Sequence, residues 1–202
     1  MRTRSGRNPR PSAGIVDSQL AKSTGVGGEQ RGYDGGKKIR GRKRHLLVDT
    51  EGLVMKAKVH SAKVADQDGL RLLLECARME ISSIKHLWLD AGYQGRGKRR
   101  AEGVLGLSVE VVRKPPKPVF SEKVARLWAE EWAKEGEKVD WQRLMPPRGF
   151  RVLPRRWVVE RTFSWLGQNR RMSKDYERLC ESAEAFVYVA MIRLMVRRLS
   201  RD

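Results

Sequence analysis

Three carboxylates stand where apolar segments stop. "GIVDSQ" (14–19) is a short apolar run carrying Asp17, "LWLDAGYQG" (87–95) ends another on Asp90, and "RRWVVERTFSW" (155–165) holds Glu160 on a helix-forming stretch, with Trp157 and Ser164 on its own face. A bare carboxylate at the end of a buried strand is costly unless something outside the chain needs its charge. If the first and fourth strands run parallel, Asp17 and Asp90 become neighbours. Two carboxylates about 4 Å apart repel by roughly 4 kcal/mol at an effective dielectric near 20, so the pair calls for a cation. Mg²⁺ suits such a site, because hard oxygen ligands, partial hydration and substrate phosphates are its usual company.

Each acid also has a plainer reading. Glu160 can pair with Arg156 one turn earlier on the helix, an exposed interaction of about 0.3 to 0.5 kcal/mol, and Asp17 can serve as a turn or cap residue. His45, within "RKRH", reads as a strand residue or phosphate contact before a metal ligand, and His60 and His86 suggest no role. With only three histidines, no Ser/His/Asp or Cys/His arrangement stands out. Cys76 and Cys180 are far apart and form no CxxC pair, which argues against a disulfide framework or zinc ribbon and for a reducing cytoplasm.

Charge points to the partner. Lys and Arg number 43 against 24 Asp and Glu, a formal net charge of +19 in 202 residues, which directs attention to a polyanion and first to nucleic acid. Lys37, Lys38, Arg40, Arg42, Lys43 and Arg44 form one dense cluster beside a glycine-rich stretch; Arg170, Arg171 and Lys174 form a second after Glu160. Flanking the acids on both sides, they read as a phosphate track rather than as solvated faces. Trp157 and Trp165 read as core before base-stacking platforms. The longest apolar run, "AFVYVAMI" (185–192), is too short to span a membrane and reads as a buried helix segment, core or dimer interface.

The elements that must position these residues follow from pattern. Residues 1–13, with four arginines and two prolines, predict a disordered basic arm, and 14–202 one domain. "STGVGGEQRGYDGGKKIRG" has seven glycines and predicts a long mobile loop. "RKRHLLVDTEGLVMKAKVHSA" predicts a hairpin turning on Asp49 and Gly52. Leu70, Leu73, Leu74 and Ala77 recur at helical spacing, one stripe able to cover a sheet face. "IKHLWLD" and "SVEVVRK" complete five strands, separated by a short basic, glycine-rich segment. Residues 117–153 break the rhythm and predict a helical insertion; a helix follows from Pro154, and a last one runs from about Ser182 to Leu199.

Taken in order, "GIVDSQ", "GYDGGKKIRGRKRHLLVDTEG", "LWLDAGYQG" and "LPRRWVVERTFSWLGQNRRMSKDYE" resemble the catalytic core of bacterial insertion-sequence transposases of the DDE class, over nearly the whole chain from about residue 14. The resemblance implies a ribonuclease-H-like fold of the retroviral integrase superfamily: a five-stranded mixed sheet flanked by helices, with a small helical insertion before the last catalytic helix. It also implies cleavage and rejoining of transposon-end and target DNA with a pair of Mg²⁺ or Mn²⁺ ions held by Asp17, Asp90 and Glu160. Two ions roughly 3.5 to 4 Å apart can clamp a scissile phosphate between them, so no protein nucleophile is required. Lys37, Lys38, Arg40, Arg42, Lys43, Arg44, Arg156, Arg170, Arg171 and Lys174 become the expected DNA contacts, a homodimer on DNA the expected assembly, and the cytoplasm, with nucleoid association when DNA-bound, the expected location.

The chain also departs from the family pattern. Many relatives carry a Tyr, Arg, Glu, Lys signature around the last acid; Arg156 and Glu160 fit it, but Leu153 takes the Tyr place and Gly167 the Lys place, leaving Lys174 to supply that charge. Only sixteen residues precede Asp17, where relatives carry a helical domain that recognises transposon ends. The expectation is therefore a catalytic half served by a DNA-binding segment from an upstream frame. The alternative is a catalytically silent DNA-binding protein or remnant of a truncated transposase.

Overall fold

β-Branched and leucine-rich runs, alternating in the faces they present, build one mixed sheet. The computed structural model describes residues 1–25, 28–77, 81–113, 122–134 and 153–200. The chain divides into two units, one of Met1–Val112 with Leu153–Asp202 and one of Arg113–Val152. In the first, the strands are β1 (Ala13–Lys22), β2 (Gly32–Asp34), β3 (Ile39–Asp49), β4 (Val54–Ser61), β5 (His86–Asp90) and β6 (Ser108–Val112), in the order β2-β3-β1-β5-β6 with β4 also paired to β3. β1 and β3 are antiparallel, whereas β1–β5 and β5–β6 are parallel. One side of β3 is shared: Ile39–Gly41 pair with β2 and Arg42–Val48 with β4.

All five strands expected from the sequence are present, within the ribonuclease-H-like plan. The sixth, β2, lies inside the glycine-rich stretch read as a mobile loop. There Gly32 packs so closely on Ser61 and Lys63 that a side chain at that position would collide with them. The hairpin turns where expected: Asp49 Oδ1 accepts from the N–H groups of Glu51 and Leu53, and Gly52 sits at φ +84°.

Two helical layers cover the sheet. On one face, α1 (Asp66–Cys76) and α2 (Arg96–Leu105) enclose Val16, Leu47, Leu70, Leu73, Leu74, Leu87 and Leu89. On the other, α4 (Pro154–Gly167) and α5 (Cys180–Leu199) enclose Ile15, Leu46, Val48, Val159, Phe163, Leu166 and Val187. Pro154 occupies the start of α4, where its missing N–H leaves no helix bond unmade. The segment around Arg96–Arg100, which the sequence marks only as basic and glycine-rich, is the helix α2; Gly97 allows α2 to approach Gln67 and Leu70 of α1.

The amino-terminal residues differ from the disordered arm expected of their composition. Thr3–Ser5 form a 3-10 turn, Arg2 Nη1 reaches Asp49 Oδ2 at 2.5 Å, and Arg4 donates to the Leu199 carbonyl. Arginine there makes specific partners rather than merely charge. Of the second unit, the described part is Arg113 and α3 (Glu122–Lys134), with Ala125 and Ala129 buried. The rest of the expected insertion, 117–121 and 135–152, lies outside the described residues. Among the described residues no helix is long and apolar enough to cross a membrane.

Candidate active site

Strand register brings the acids together. Ala13–Val16 of β1 pair in parallel with His86–Leu89 of β5, so one further step along both strands sets Asp17 beside Asp90. Alternation then fixes their face. Ile15 belongs to the core under α4 and α5, and Asp17 shares its parity; Trp88 packs against the same core, and Asp90 shares the parity of Trp88. Both aspartates therefore point toward α4. That helix is seated by Val159, Phe163 and Leu166 and tied to the hairpin tip, where Thr162 Oγ1 donates to the Gly52 carbonyl at 2.7 Å and Arg161 to that of Glu51. Glu160 lies between these anchors.

A guanidinium joins two of the acids. Arg156 Nη1 donates to Asp90 Oδ1 at 2.8 Å, and its Nε lies 2.9 Å from Glu160 Oε1, an ion-pair distance although the N–H is not directed along a hydrogen bond. Asp90 also accepts from the Ala91 N–H, and Asp17 from that of Ser18. Burial pushes the Asp17 carboxyl up to about 6, reinforced by the charges of Asp90 and Glu160 and opposed by the Ser18 N–H and by Arg156. The donors, three carboxylates on rigid elements, have the hard-oxygen chemistry of a divalent cation site. Among the described residues, however, no three acidic, histidine or cysteine side chains are grouped closely enough to hold one ion as they stand.

A second polar layer lies behind Asp17, on the α1 side of the sheet. Ser18 Oγ donates to Asp66 Oδ1 at 3.2 Å, and Lys43 Nζ bridges Asp66 and Asp34 at 3.2 and 3.3 Å. His45 Nδ1 and His60 Nε2 are 2.8 Å apart and buried, while His60 Nδ1 is 3.0 Å from the Ser61 carbonyl. Burial holds both imidazoles below their ordinary range, His45 far below it. Tyr93, three residues past Asp90, is buried edge-on to His45, and burial together with Asp17, Asp66 and Asp90 pushes its phenol well up. His45 is therefore a strand residue of the core, in keeping with its plainer reading. Its pairing with His60 has no local signature, because the two meet only through the β3–β4 register.

The expected DNA contacts divide sharply. Lys37, Lys38 and Arg40 are exposed on and beside the turn from β2 to β3, and Arg170, Arg171 and Lys174 are exposed beyond α4. Arg42, Lys43 and Arg44 are buried, so their reading as phosphate contacts is corrected. Arg42 pairs with Asp175 at 3.1 Å and donates to the carbonyls of Glu29, Glu177 and Arg178; Arg44 donates to those of Met172 and Lys174. They tie β3 to the chain that follows α4. Gly167 ends α4, and Lys174 lies in the segment that Arg44 holds. Absent from the expected contacts is α2, whose Arg96, Lys98, Arg99 and Arg100 begin six residues after Asp90. Cations in the first turns of a helix oppose its dipole, a signal visible in the sequence once the helix is recognised. Trp157, read as core, is 42 % exposed one turn before Glu160.

A family model described as the transposase DDE domain matches residues 8–195. No curated protein matches the sequence.

Proposed function

The chain belongs to the transposase DDE domain family, and we propose that it cleaves and joins DNA strands at insertion-sequence ends, with Asp17, Asp90 and Glu160 acting as one metal-dependent site. The observation that carries this reading is the shared face: β1, β5 and α4 each aim one carboxylate into the same small region, and the Asp17 proton responds to the other two acids. Asp17, Asp90 and Glu160 would hold Mg²⁺ or Mn²⁺, one ion or a pair. When bound, such ions neutralise the charge on a scissile phosphate and ease deprotonation of an attacking water or 3′-hydroxyl.

The remaining chemistry belongs to the chain. Arg156 holds Asp90 and Glu160 in orientation through two of its nitrogens. The guanidinium would be released from those carboxylates if they held a cation, and could then meet a DNA phosphate in the bidentate geometry Arg favours. Asp17 must lose its proton to serve as a ligand, and the Ser18 N–H favours that loss. The histidines are engaged elsewhere: His45 and His60 with each other, and His86 with Ser108 at the far end of β5. Lys37, Lys38 and Arg40, the residues after α4 and the basic turns of α2 would follow the DNA backbone, with exposed Trp157 near the acids. Such a protein would work in the cytoplasm, on the nucleoid.

A second reading, a catalytically silent DNA-binding protein descended from a transposase, is favoured by one observation: Arg156 already occupies two of the three acids. Nicking of supercoiled plasmid in Mg²⁺ or Mn²⁺ separates the two. Metal-dependent nicking lost in Asp90→Asn supports the enzyme. DNA binding that is undiminished in a chain unable to nick supports the silent protein.

A further inference from the structure

The basic turn between β2 and β3 has little of its own to hold it. β2 is three residues long, Gly35 and Gly36 follow it, and a side chain at Gly35 would meet nothing within 4 Å. Lys37 and Lys38 are exposed, and Lys38 stands at φ +53°, a backbone conformation rare outside glycine. Such a segment samples many conformations unless something outside it selects one. Asp34 makes that tie. Its Oδ1 accepts from the Lys37 N–H at 2.8 Å, and its Oδ2 pairs with the Lys43 ammonium at 3.3 Å. The Asp34 carboxyl is accordingly held below its ordinary range, first by the Lys37 N–H and then, against burial, by Lys43.

Lys43 is a buried cation with three acceptors: the Val64 carbonyl at 2.9 Å, Asp66 Oδ1 at 3.2 Å and Asp34 Oδ2 at 3.3 Å. An ammonium has three protons, so none is left over for a phosphate. Strand alternation puts Lys43 and Asp34 on one face of the sheet. Asp34 pairs with Ile39, four residues before Lys43, and the pair between them on that face is Gly32 with Gly41, neither of which carries a side chain. At its other end Lys43 meets the same Asp66 oxygen to which Ser18, the neighbour of Asp17, donates.

We propose that Lys43 is a positioning residue: without touching DNA, it locks the turn of Gly35–Lys38 in one orientation relative to Asp17, so that Lys37, Lys38 and Arg40 meet the DNA backbone already ordered. It rests on that turn belonging to the DNA path. A turn ordered beforehand loses less conformational freedom on binding than a loose one. Asp17, Asp90 and Glu160 stay where their own elements hold them, so the lock acts on DNA and not on metal.

Charge alone makes the opposite prediction at one end of the lock. Asp34→Ala adds one unit of net positive charge, which by itself tightens binding to any duplex, whereas loss of the lock weakens it. Fluorescence anisotropy with a duplex of arbitrary sequence, over a series of salt concentrations, reads the sign. Asp34→Ala and Lys43→Met should each bind about tenfold more weakly than wild type, and the double variant no more weakly than Lys43→Met alone. The log–log salt slope should stay unchanged in Lys43→Met; a direct phosphate contact would flatten it by about 0.9. Asp34→Ala leaves Lys43 paired with Asp66 and reads the lock even if Lys43→Met does not fold. Amide exchange in the free chain gives a readout without DNA: the Lys37 N–H should lose about tenfold in protection in either variant, with the Leu46 N–H of β3 unchanged. Binding by Asp34→Ala as tight as wild type or tighter, a flattened slope in Lys43→Met, or an equally protected Lys37 would overturn the proposal while leaving the DNA reading intact. A wild type that binds no duplex would overturn both.

Discussion

Arg156 links Asp90 to Glu160, with Nη1 at 2.8 Å from one carboxylate and Nε at 2.9 Å from the other. The spacing is set by two independent elements, the end of β5 and one turn of α4. The guanidinium stands where the same charges would draw a hard cation, so a metal bound there would have to compete with it.

That competition has a thermal signature. In metal-free buffer Arg156→Gln should lower stability by about 1 to 2 kcal/mol, since it removes a charge-assisted bond that is only partly shielded from water. Mg²⁺ should then raise the melting temperature of the variant by more than it raises that of the wild type. Equal shifts in the two proteins would remove Arg156 from the pocket.

Asp17 sets a pH dependence. Its carboxyl, raised to about 6, binds its proton more tightly in the folded chain than in the unfolded one. Its contribution to stability is therefore fully present below about pH 4 and is lost as pH rises through about 6. Asp17→Asn should thus be more stable than wild type at pH 8 in EDTA, by up to about 3 kcal/mol, with the gap closing near pH 4. A pH-independent difference in urea midpoints would contradict the assignment.

The division of the basic cluster is tested by pairing two variants. Arg42→Ala breaks a buried ion pair and three hydrogen-bonded links to carbonyls and should cost about 3 to 5 kcal/mol in folding stability. Replacing Lys37, Lys38 and Arg40 with Ala should leave melting unchanged. It should weaken binding to any duplex, flattening the log–log salt dependence by about 0.9 for each phosphate no longer neutralised. An unaltered slope in fluorescence anisotropy would exclude these three from the DNA path.

The contrast between Arg40 and Arg42 shows what the sequence could and could not convey. Apolar runs leading into Asp17 and Asp90 announced two strands, the second ending on its acid and the first continuing past its acid to Lys22, and Pro154 announced the helix that brings Glu160 to them. The hairpin at Asp49–Gly52 was legible because its turn chemistry is local. Burial of Arg42 and Arg44 was not, because a run of six charges in eight positions has the composition of a surface. Only the backbone carbonyls of Glu29, Met172, Lys174, Glu177 and Arg178, distant along the chain, make an interior for them. Helix α2 was hidden in the same way. Two glycines and four bases suppress the local signal, and packing against α1 supplies what propensity lacks.

Whether Asp17, Asp90 and Glu160 form one site is decided by calorimetric titration with Mn²⁺. Wild type should bind, and Asp17→Asn, Asp90→Asn and Glu160→Gln should each abolish or weaken binding by at least about tenfold, equivalent to about 1.4 kcal/mol. Asp66→Asn, which alters an acid on the opposite face of the sheet, should bind as wild type does. Undiminished binding by Asp17→Asn or Glu160→Gln would show that the three carboxylates do not share a metal.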